Sequence, residues 1–147
     1  MTTTEQRILS ALMAVVYGAA LIATWGFTSL LLDADVIAEK DAGPLLGPAM
    51  AAAAILVTWG WLSRVRTGHR PWGASVLAAA SVWFAMVAVG GIGYAVTRDE
   101  LSWVVLFAAR YAPSPFVLLP ALLAGIIVVV AGVLAGRSPQ ARSFDRR

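Results

Sequence analysis

Four long apolar stretches divide the chain, and short charged segments separate them. The stretches cover residues 8–32, 45–63, 74–96 and 116–136, and none of them contains a formally charged side chain. A helix needs about 20 apolar residues to cross a hydrocarbon core of about 30 Å. The pattern therefore predicts an all-α membrane protein, in which four transmembrane helices form a single bundle and a single domain.

The segment between the third and fourth stretches has a different pattern. Thr97 and Glu100 have the spacing of a capping box, which predicts that a helix starts there. The apolar run that follows is nine residues long, too short to cross, and Pro113 and Pro115 end it. We predict a short helix at about residues 98–111 that lies in the outer membrane interface. A re-entrant segment is the alternative.

Aromatic residues and a proline add detail to the spans. Trp25 lies near the end of the first stretch, where amphipathic rings typically settle at the headgroup level. Trp83 falls in the middle of the third stretch and is interpreted as a packing or lipid-facing residue. Pro120 lies about one turn into the fourth stretch and is expected to kink that helix.

Composition agrees with a membrane protein. Of 147 residues, 60% are hydrophobic and only 13% are charged, and the mean hydropathy is +0.80. Soluble domains are about 45–50% apolar and about 25% charged. Four spans and their connections use nearly all of the chain, so no separate soluble domain is expected.

The distribution of Lys and Arg predicts the orientation, because cytoplasmic loops carry an excess of these residues. With the N-terminus inside, the inner segments hold eight basic residues and the outer segments hold three. We therefore predict a multi-pass protein of the cell membrane with both termini in the cytoplasm. Its basic tail, residues 137–147, is expected to be disordered. A fifth crossing through residues 98–111 would place this tail outside.

Several function classes are disfavoured by residue content. The chain has no cysteine and a single histidine, so disulfides, thiolate metal sites and an intrachain bis-histidine haem are ruled out. The basic residues flank the predicted spans, so the net charge of +3 indicates membrane lipids rather than nucleic acid as partners. No Walker, Gly-x-Ser-x-Gly or His-Glu-x-x-His motif is present. We expect no enzyme activity, no catalytic residue, no metal site and no cofactor.

Small residues in the fourth stretch indicate a helix-packing face. Gly132 and Gly136 form a Gly-x-x-x-Gly pair, and Gly125 is seven residues before Gly132. Such residues allow a neighbouring helix to approach closely. Gly125, Gly132 and Gly136 are therefore the predicted packing residues. The inner turn between the second and third stretches supplies predicted contacts to lipid headgroups, namely Arg64, Arg66 and Arg70.

The favoured functional hypothesis is a non-catalytic accessory or interaction subunit, or a small homo-oligomer, that packs against another membrane protein. Because the spans hold no embedded carboxylate, proton-coupled transport is disfavoured. A small transporter or channel for a neutral or lipophilic solute is the first alternative, with a path lined by Tyr17, Thr24, Thr28 and Ser81.

A metal-dependent membrane enzyme is the weaker alternative. It would use the acidic loop after the first span, where Asp33 and Asp35 precede Glu39 and Asp41. Clustered carboxylates bind Ca²⁺ or Mn²⁺, but an acidic loop on the outer side is also the ordinary consequence of membrane topology.

In size, alanine richness and layout, the chain resembles small, uncharacterised four-span membrane proteins of high-GC bacteria. This resemblance implies the four-span architecture and assigns a role to no residue, because no motif carries it.

Overall fold

The computed structural model describes residues 3–37, 43–64 and 71–136 of the chain. These ranges form five helices and contain no strand, which confirms the all-α prediction. The helices are α1 (Thr3–Leu32), α2 (Leu46–Leu62), α3 (Pro71–Arg98), α4 (Ser102–Tyr111) and α5 (Pro115–Gly136). The predicted basic tail, residues 137–147, lies outside the described residues.

Three of these helices are long and apolar enough to cross a membrane on length and composition: α1, α3 and α5. The α2 helix is apolar but has only 17 residues. At 1.5 Å per residue it is about 25 Å long, slightly less than a typical hydrocarbon core.

The α2 helix lies antiparallel to α1. Near one end of the pair, the Gln6 side-chain amide donates a hydrogen bond of 3.3 Å to the carbonyl of Ser63. Further along, Ile55 packs over Gly18, where a Cβ would lie 3.2 Å from the Ile55 side chain. As residue numbers increase along α1, the residues that it contacts on α2 have lower numbers, so the two helices are antiparallel.

The α3 helix in turn lies antiparallel to α2, and so parallel to α1. Leu46 at the start of α2 packs against Gly93, and Met50 packs against Gly90. Consequently α1 and α3 end on the same side of the bundle. We call this side the acidic end, because Asp33 and Asp99 follow the two helices there.

Both helices end in the same way at the acidic end. Asp33 and Asp99 have φ angles of 47° and 53°, in the left-handed region. The N–H after Asp33 donates to the carbonyl of Ser29 at 3.2 Å, and the N–H after Asp99 donates to that of Ala95 at 3.3 Å. This is the Schellman arrangement, in which a left-handed residue reverses the chain and pairs a terminal carbonyl.

The α4 helix runs alongside α3 in the opposite direction. The Trp103 ring meets the Tyr94 ring edge-on, with 5.6 Å between centroids. Further along α4, Phe107 lies over Gly90, which is one turn earlier in α3. A helix lying flat across the bundle end would meet α3 at one level only. The contacts are those of a helix that packs lengthwise along α3.

The predicted start of this helix is wrong. The α3 helix continues through Arg98, and α4 begins at Ser102 rather than at about residue 98. Thr97 does not cap α4, because its hydroxyl donates to the carbonyl of Tyr94 at 2.7 Å within α3. The spacing of a capping box is present, but Thr97 lies within α3 and therefore cannot cap α4.

The bundle has an apolar exterior as well as an apolar core. In the most apolar windows of α1, α3 and α5, only 28%, 28% and 44% of the residues are buried. Leu30 and Leu31 are 82% and 84% exposed. Soluble monomers rarely expose contiguous apolar surface on this scale, so the exterior is compatible with a lipid environment.

Candidate functional site

The last two helices form one interrupted path along α3. After α4, the carbonyl of Ala112 lies beside Trp83, and further along α5 the carbonyl of Gly125 lies beside Ser75. Both helices therefore run in the same direction, from the acidic end towards the start of α3. We call α4, the turn at residues 112–114 and α5 the broken passage.

Prolines and a serine build the interruption. Pro113 lies in the turn, and Pro115 is the first residue of α5, where its missing N–H costs no helical hydrogen bond. Ser114 caps α5, because its hydroxyl accepts the N–H of Phe116 at 3.3 Å. The Ser114 carbonyl accepts the N–H groups of Val117 and Leu118, both at 3.0 Å.

Two tryptophans bind the carbonyls at this interruption. Pro120 has no N–H, so the carbonyl of Phe116 cannot form its usual bond within the helix. The indole N–H of Trp25, from α1, donates to this carbonyl at 2.7 Å. The indole N–H of Trp83, from α3, donates to the carbonyl of Ala112 at 2.9 Å. Both indoles are half-buried, and neither role was predicted from the sequence.

A third side chain binds the broken passage deeper in the bundle. Tyr17 is fully buried, and its phenol donates to the carbonyl of Pro120 at 3.1 Å. Side chains from α1 and α3 thus hold α5. Among the described residues, no buried side-chain nitrogen or oxygen lacks a hydrogen-bond partner.

The hydroxyls proposed to line a transport path have other contacts. Thr24 and Ser81 each donate at 2.7 Å to the carbonyl four residues earlier in their own helices. Tyr17 binds the broken passage, and Thr28 is buried at 7% exposure. These bonds are the usual way in which hydroxyls are satisfied inside membrane helices.

The three predicted packing glycines lie in different surroundings. Gly125 is buried inside the chain, where a Cβ would lie 3.1 Å from the Ser75 hydroxyl and 3.4 Å from the Ala79 Cβ. Gly132 is half-buried, and Gly136 is the last residue of α5. Gly125 therefore brings α5 close to α3, and Gly132 lies partly on the outer surface of α5.

A second set of glycines, near the end of α3, has tighter contacts than Gly125. A Cβ on Gly90 would overlap the Phe107 ring and lie 3.0 Å from the Met50 sulfur. A Cβ on Gly91 would lie 3.3 Å from the Val104 carbonyl oxygen. The Gly-Gly-Ile-Gly sequence was the available signal, because glycines in membrane helices mark close approach.

The charged loop residues that the structure describes are exposed. Arg64 follows α2 at the opposite end from the acidic end, and Arg66 and Arg70 lie outside the described residues.

Asp33 and Asp35 border an open cavity of about 320 Å³ with Ser29, Leu30 and Ala34. Within the described ranges, no three His, Asp or Glu side chains are grouped to hold a metal ion. Glu39 and Asp41 lie outside those ranges.

The broken passage also contains a pocket with a mixed lining, which we call the aromatic pocket. It encloses about 410 Å³ between α3 and α4. Its walls are Tyr94, Trp103, Leu106, Phe107, Ala109, Arg110 and Tyr111. The Phe107 and Tyr111 rings stack with 4.2 Å between centroids, and the Arg98 guanidinium lies 4.9 Å above the Trp103 ring. An apolar pocket with a few polar groups is the usual form of a ligand site.

One comparison with known proteins gave a match. The model of a family of unknown function, DUF6121, matches residues 1–146. No curated protein and no solved structure matches the chain. Since the match covers nearly every residue, the chain belongs to the family of unknown function DUF6121.

Proposed function

We propose that this chain is a cell-membrane protein that crosses the bilayer four times and acts without catalysis. In this proposal it is an accessory or interaction subunit that packs against itself or against a larger membrane complex. The crossings are α1, α2, α3 and the broken passage, and both termini lie in the cytoplasm.

The direction of the helices is the observation that carries the proposal. Because α1 and α3 are parallel and both have apolar exteriors, two crossings in the same direction require a return between them. The α2 helix is the element between them, and it runs antiparallel to both. Its length of about 25 Å suffices if polar flanking groups reach the interface or the bilayer thins locally.

Lys and Arg positions support the orientation. In this arrangement, Arg64 and the basic tail lie on the cytoplasmic side, and the acidic end lies outside. The proposal also accounts for the tryptophan hydrogen bonds. A carbonyl that has no helical donor inside hydrocarbon costs several kcal/mol unless a neighbouring group binds it. The indoles of Trp25 and Trp83 bind the two such carbonyls at the interruption.

The interaction role is supported by how the polar side chains are used. Tyr17, Trp25, Ser75 and Trp83 each donate to a backbone carbonyl of the broken passage. They hold the bundle together instead of presenting reactive groups. The large apolar side chains of α5 that remain exposed, such as Leu122 at 60% and Ile126 at 59%, offer surface to another membrane helix.

Association is tested at Gly132, which lies partly on the outer surface of α5. We expect Gly132→Leu to weaken self-association or partner association, because leucine holds a neighbouring helix further away. The measurement is the size of the protein in mild detergent, together with chemical crosslinking in membranes.

Two further variants serve as controls for that experiment. Gly60→Leu on α2 should leave association unchanged, since a Cβ there has no neighbour within 4 Å. Gly125→Leu should destabilise the bundle itself, because Gly125 packs on α3. Crosslinking of the Gly132→Leu protein at the wild-type level would contradict association through this face.

A further inference from the structure

We infer that a groove between α1 and α2 at the acidic end binds a single-chain amphiphile with a cationic head, of the long-chain alkylammonium kind. The hydrocarbon chain lies in the groove, and the head lies at Asp33 and Asp35. The inference goes beyond an interaction role, since it assigns a ligand to a face of the protein away from α5. It rests on the proposed membrane placement, in which the acidic end lies outside.

A cavity of about 610 Å³ opens between α1 and α2, and we call it the α1–α2 groove. Its volume is within the range of about 300–1,000 Å³ that is usual for ligand sites. The α1 side supplies Ile22 and Trp25, and the turn after α1 supplies Val36. The α2 side is lined mainly by small residues, namely Gly47, Pro48, Ala51 and Ala52. Because these side chains are short, the two helices leave room for a chain between them.

The walls of the groove are held in place by contacts with the rest of the bundle. Trp25 is fixed by its indole N–H, which donates to a carbonyl of α5 at 2.7 Å. At the inner end, α1 and α2 come together where Ile55 packs over Gly18. Near the outer end, a Cβ on Gly47 would lie 3.9 Å from the Ile37 side chain. The groove is therefore formed without a ligand, and binding needs no rearrangement of the helices.

The groove has the length and direction of one leaflet of the proposed bilayer. On α2, its lining runs eight residues from Gly47 to Ile55, about 12 Å along a helix. On α1, Ile22 is eleven residues before Asp33, about 16 Å. Half of a hydrocarbon core of about 30 Å is similar to both lengths. An amphiphile in the groove thus has its chain in the hydrocarbon and its head at the outer surface.

The open cavity beside Asp33 and Asp35 continues the groove at its outer end. Val36, which lines the groove, directly follows Asp35 in the chain. Ile22, Ser29 and Asp33 are separated by seven and four residues, a spacing that places them on one side of α1. The Ser29 hydroxyl donates at 2.6 Å to a carbonyl of the turn that carries both carboxylates. An apolar groove therefore ends at two carboxylates.

The charge at the outer end of the groove favours a cationic head. Residues 33–41 include four carboxylates and one lysine. Arg98 is at the same end of the bundle, but its guanidinium lies over the Tyr94 and Trp103 rings, on the side of α3 and α4. Carboxylates attract a cationic head at short range and repel an anionic one. A neutral amphiphile would gain from the apolar groove alone.

The test is photo-crosslinking of the purified protein in phosphatidylcholine nanodiscs at low salt. The probe is dodecyltrimethylammonium with a diazirine near the end of its chain, and mass spectrometry maps the adducts. We expect adducts around Ile22, Ala52 and Ile55. Unlabelled dodecyltrimethylammonium should displace the probe at a concentration about tenfold lower than dodecanoate does, because the head differs only in charge and size. Tetramethylammonium should not displace it, because it lacks the chain.

Variants locate the chain and the head separately. Ala52→Trp fills the groove and should abolish the adducts, whereas Ala80→Trp, at an exposed position of α3, should retain them. The double variant Asp33→Asn with Asp35→Asn should weaken binding about fivefold to tenfold. Asparagine also tolerates the left-handed backbone of Asp33, so the turn is kept. Glu5→Gln, at the opposite end, should leave binding unchanged.

Several results would overturn the inference. These are adducts spread evenly over the exposed faces of all helices, displacement by dodecanoate as effective as that by dodecyltrimethylammonium, and full binding in Ala52→Trp or in the double aspartate variant. If one of them is found while an impermeant reagent still labels residue 34 from outside, the amphiphile site is wrong and the proposed topology stands. Labelling of residue 34 from the inside would contradict the topology itself.

Discussion

Gly90→Ala is expected to lower the free energy of unfolding by about 1–3 kcal/mol, although alanine is the better helix former. The new methyl group would overlap the Phe107 ring and lie 3.0 Å from the Met50 sulfur. The ring cannot move away without cost, because it is 3% exposed and stacks on Tyr111. Unfolding in mixed micelles with a denaturing detergent measures the change.

Two further variants make the interpretation specific. Gly26→Ala should be neutral or stabilising by up to about 1 kcal/mol, since a Cβ at Gly26 has no neighbour within 4 Å. In a Phe107→Leu background, Gly90→Ala should cost less than in the wild type, because the overlapping ring is gone. A Gly90→Ala protein as stable as the wild type would show that α4 does not pack against α3 at this point.

Trp25→Phe is expected to destabilise the protein by about 1–3 kcal/mol, the usual cost of leaving a buried acceptor without a donor. The substitution keeps an aromatic ring but removes the indole N–H that binds the Phe116 carbonyl at 2.7 Å. Proline at position 120 leaves that carbonyl without its helical donor. The same unfolding experiment provides the measurement.

The double variant separates the hydrogen bond from the packing of the indole. Pro120→Ala restores an N–H to α5, which then binds the Phe116 carbonyl. In this background Trp25→Phe should cost about 1 kcal/mol less than it does in the wild type. Equal costs in both backgrounds would mean that Trp25 acts through its packing alone, and that the interruption of α5 does not depend on α1.

The helices could be predicted from the sequence because their apolar runs are long. The helices α1, α2, α3 and α5 lie at the four apolar stretches. The start of α4 was wrong because capping depends on where the preceding helix stops. The left-handed residue that ends α3 is Asp99, and a sequence in which aspartate replaces the usual glycine gives little sign of it.

The contacts of the broken passage could be predicted only in part. Pro120 shows that the carbonyl of Phe116 needs another donor, but Trp25 is 91 residues away in the sequence. Its role depends on α1 and α5 being neighbours, which hydrophobic periodicity does not specify. The same holds for Gly90 and Phe107, since residues with close contacts to another helix look the same in sequence as those that face lipid.

The side of the membrane reached by each end of α2 tests the account most directly, because α2 is the shortest proposed crossing. The chain has no cysteine, so Ala34→Cys and Ser63→Cys each introduce a single thiol. Both positions are exposed, one after α1 and one after α2. A membrane-impermeant maleimide should label residue 34 on intact cells and residue 63 only after permeabilisation. Labelling of both from the same side would contradict four crossings.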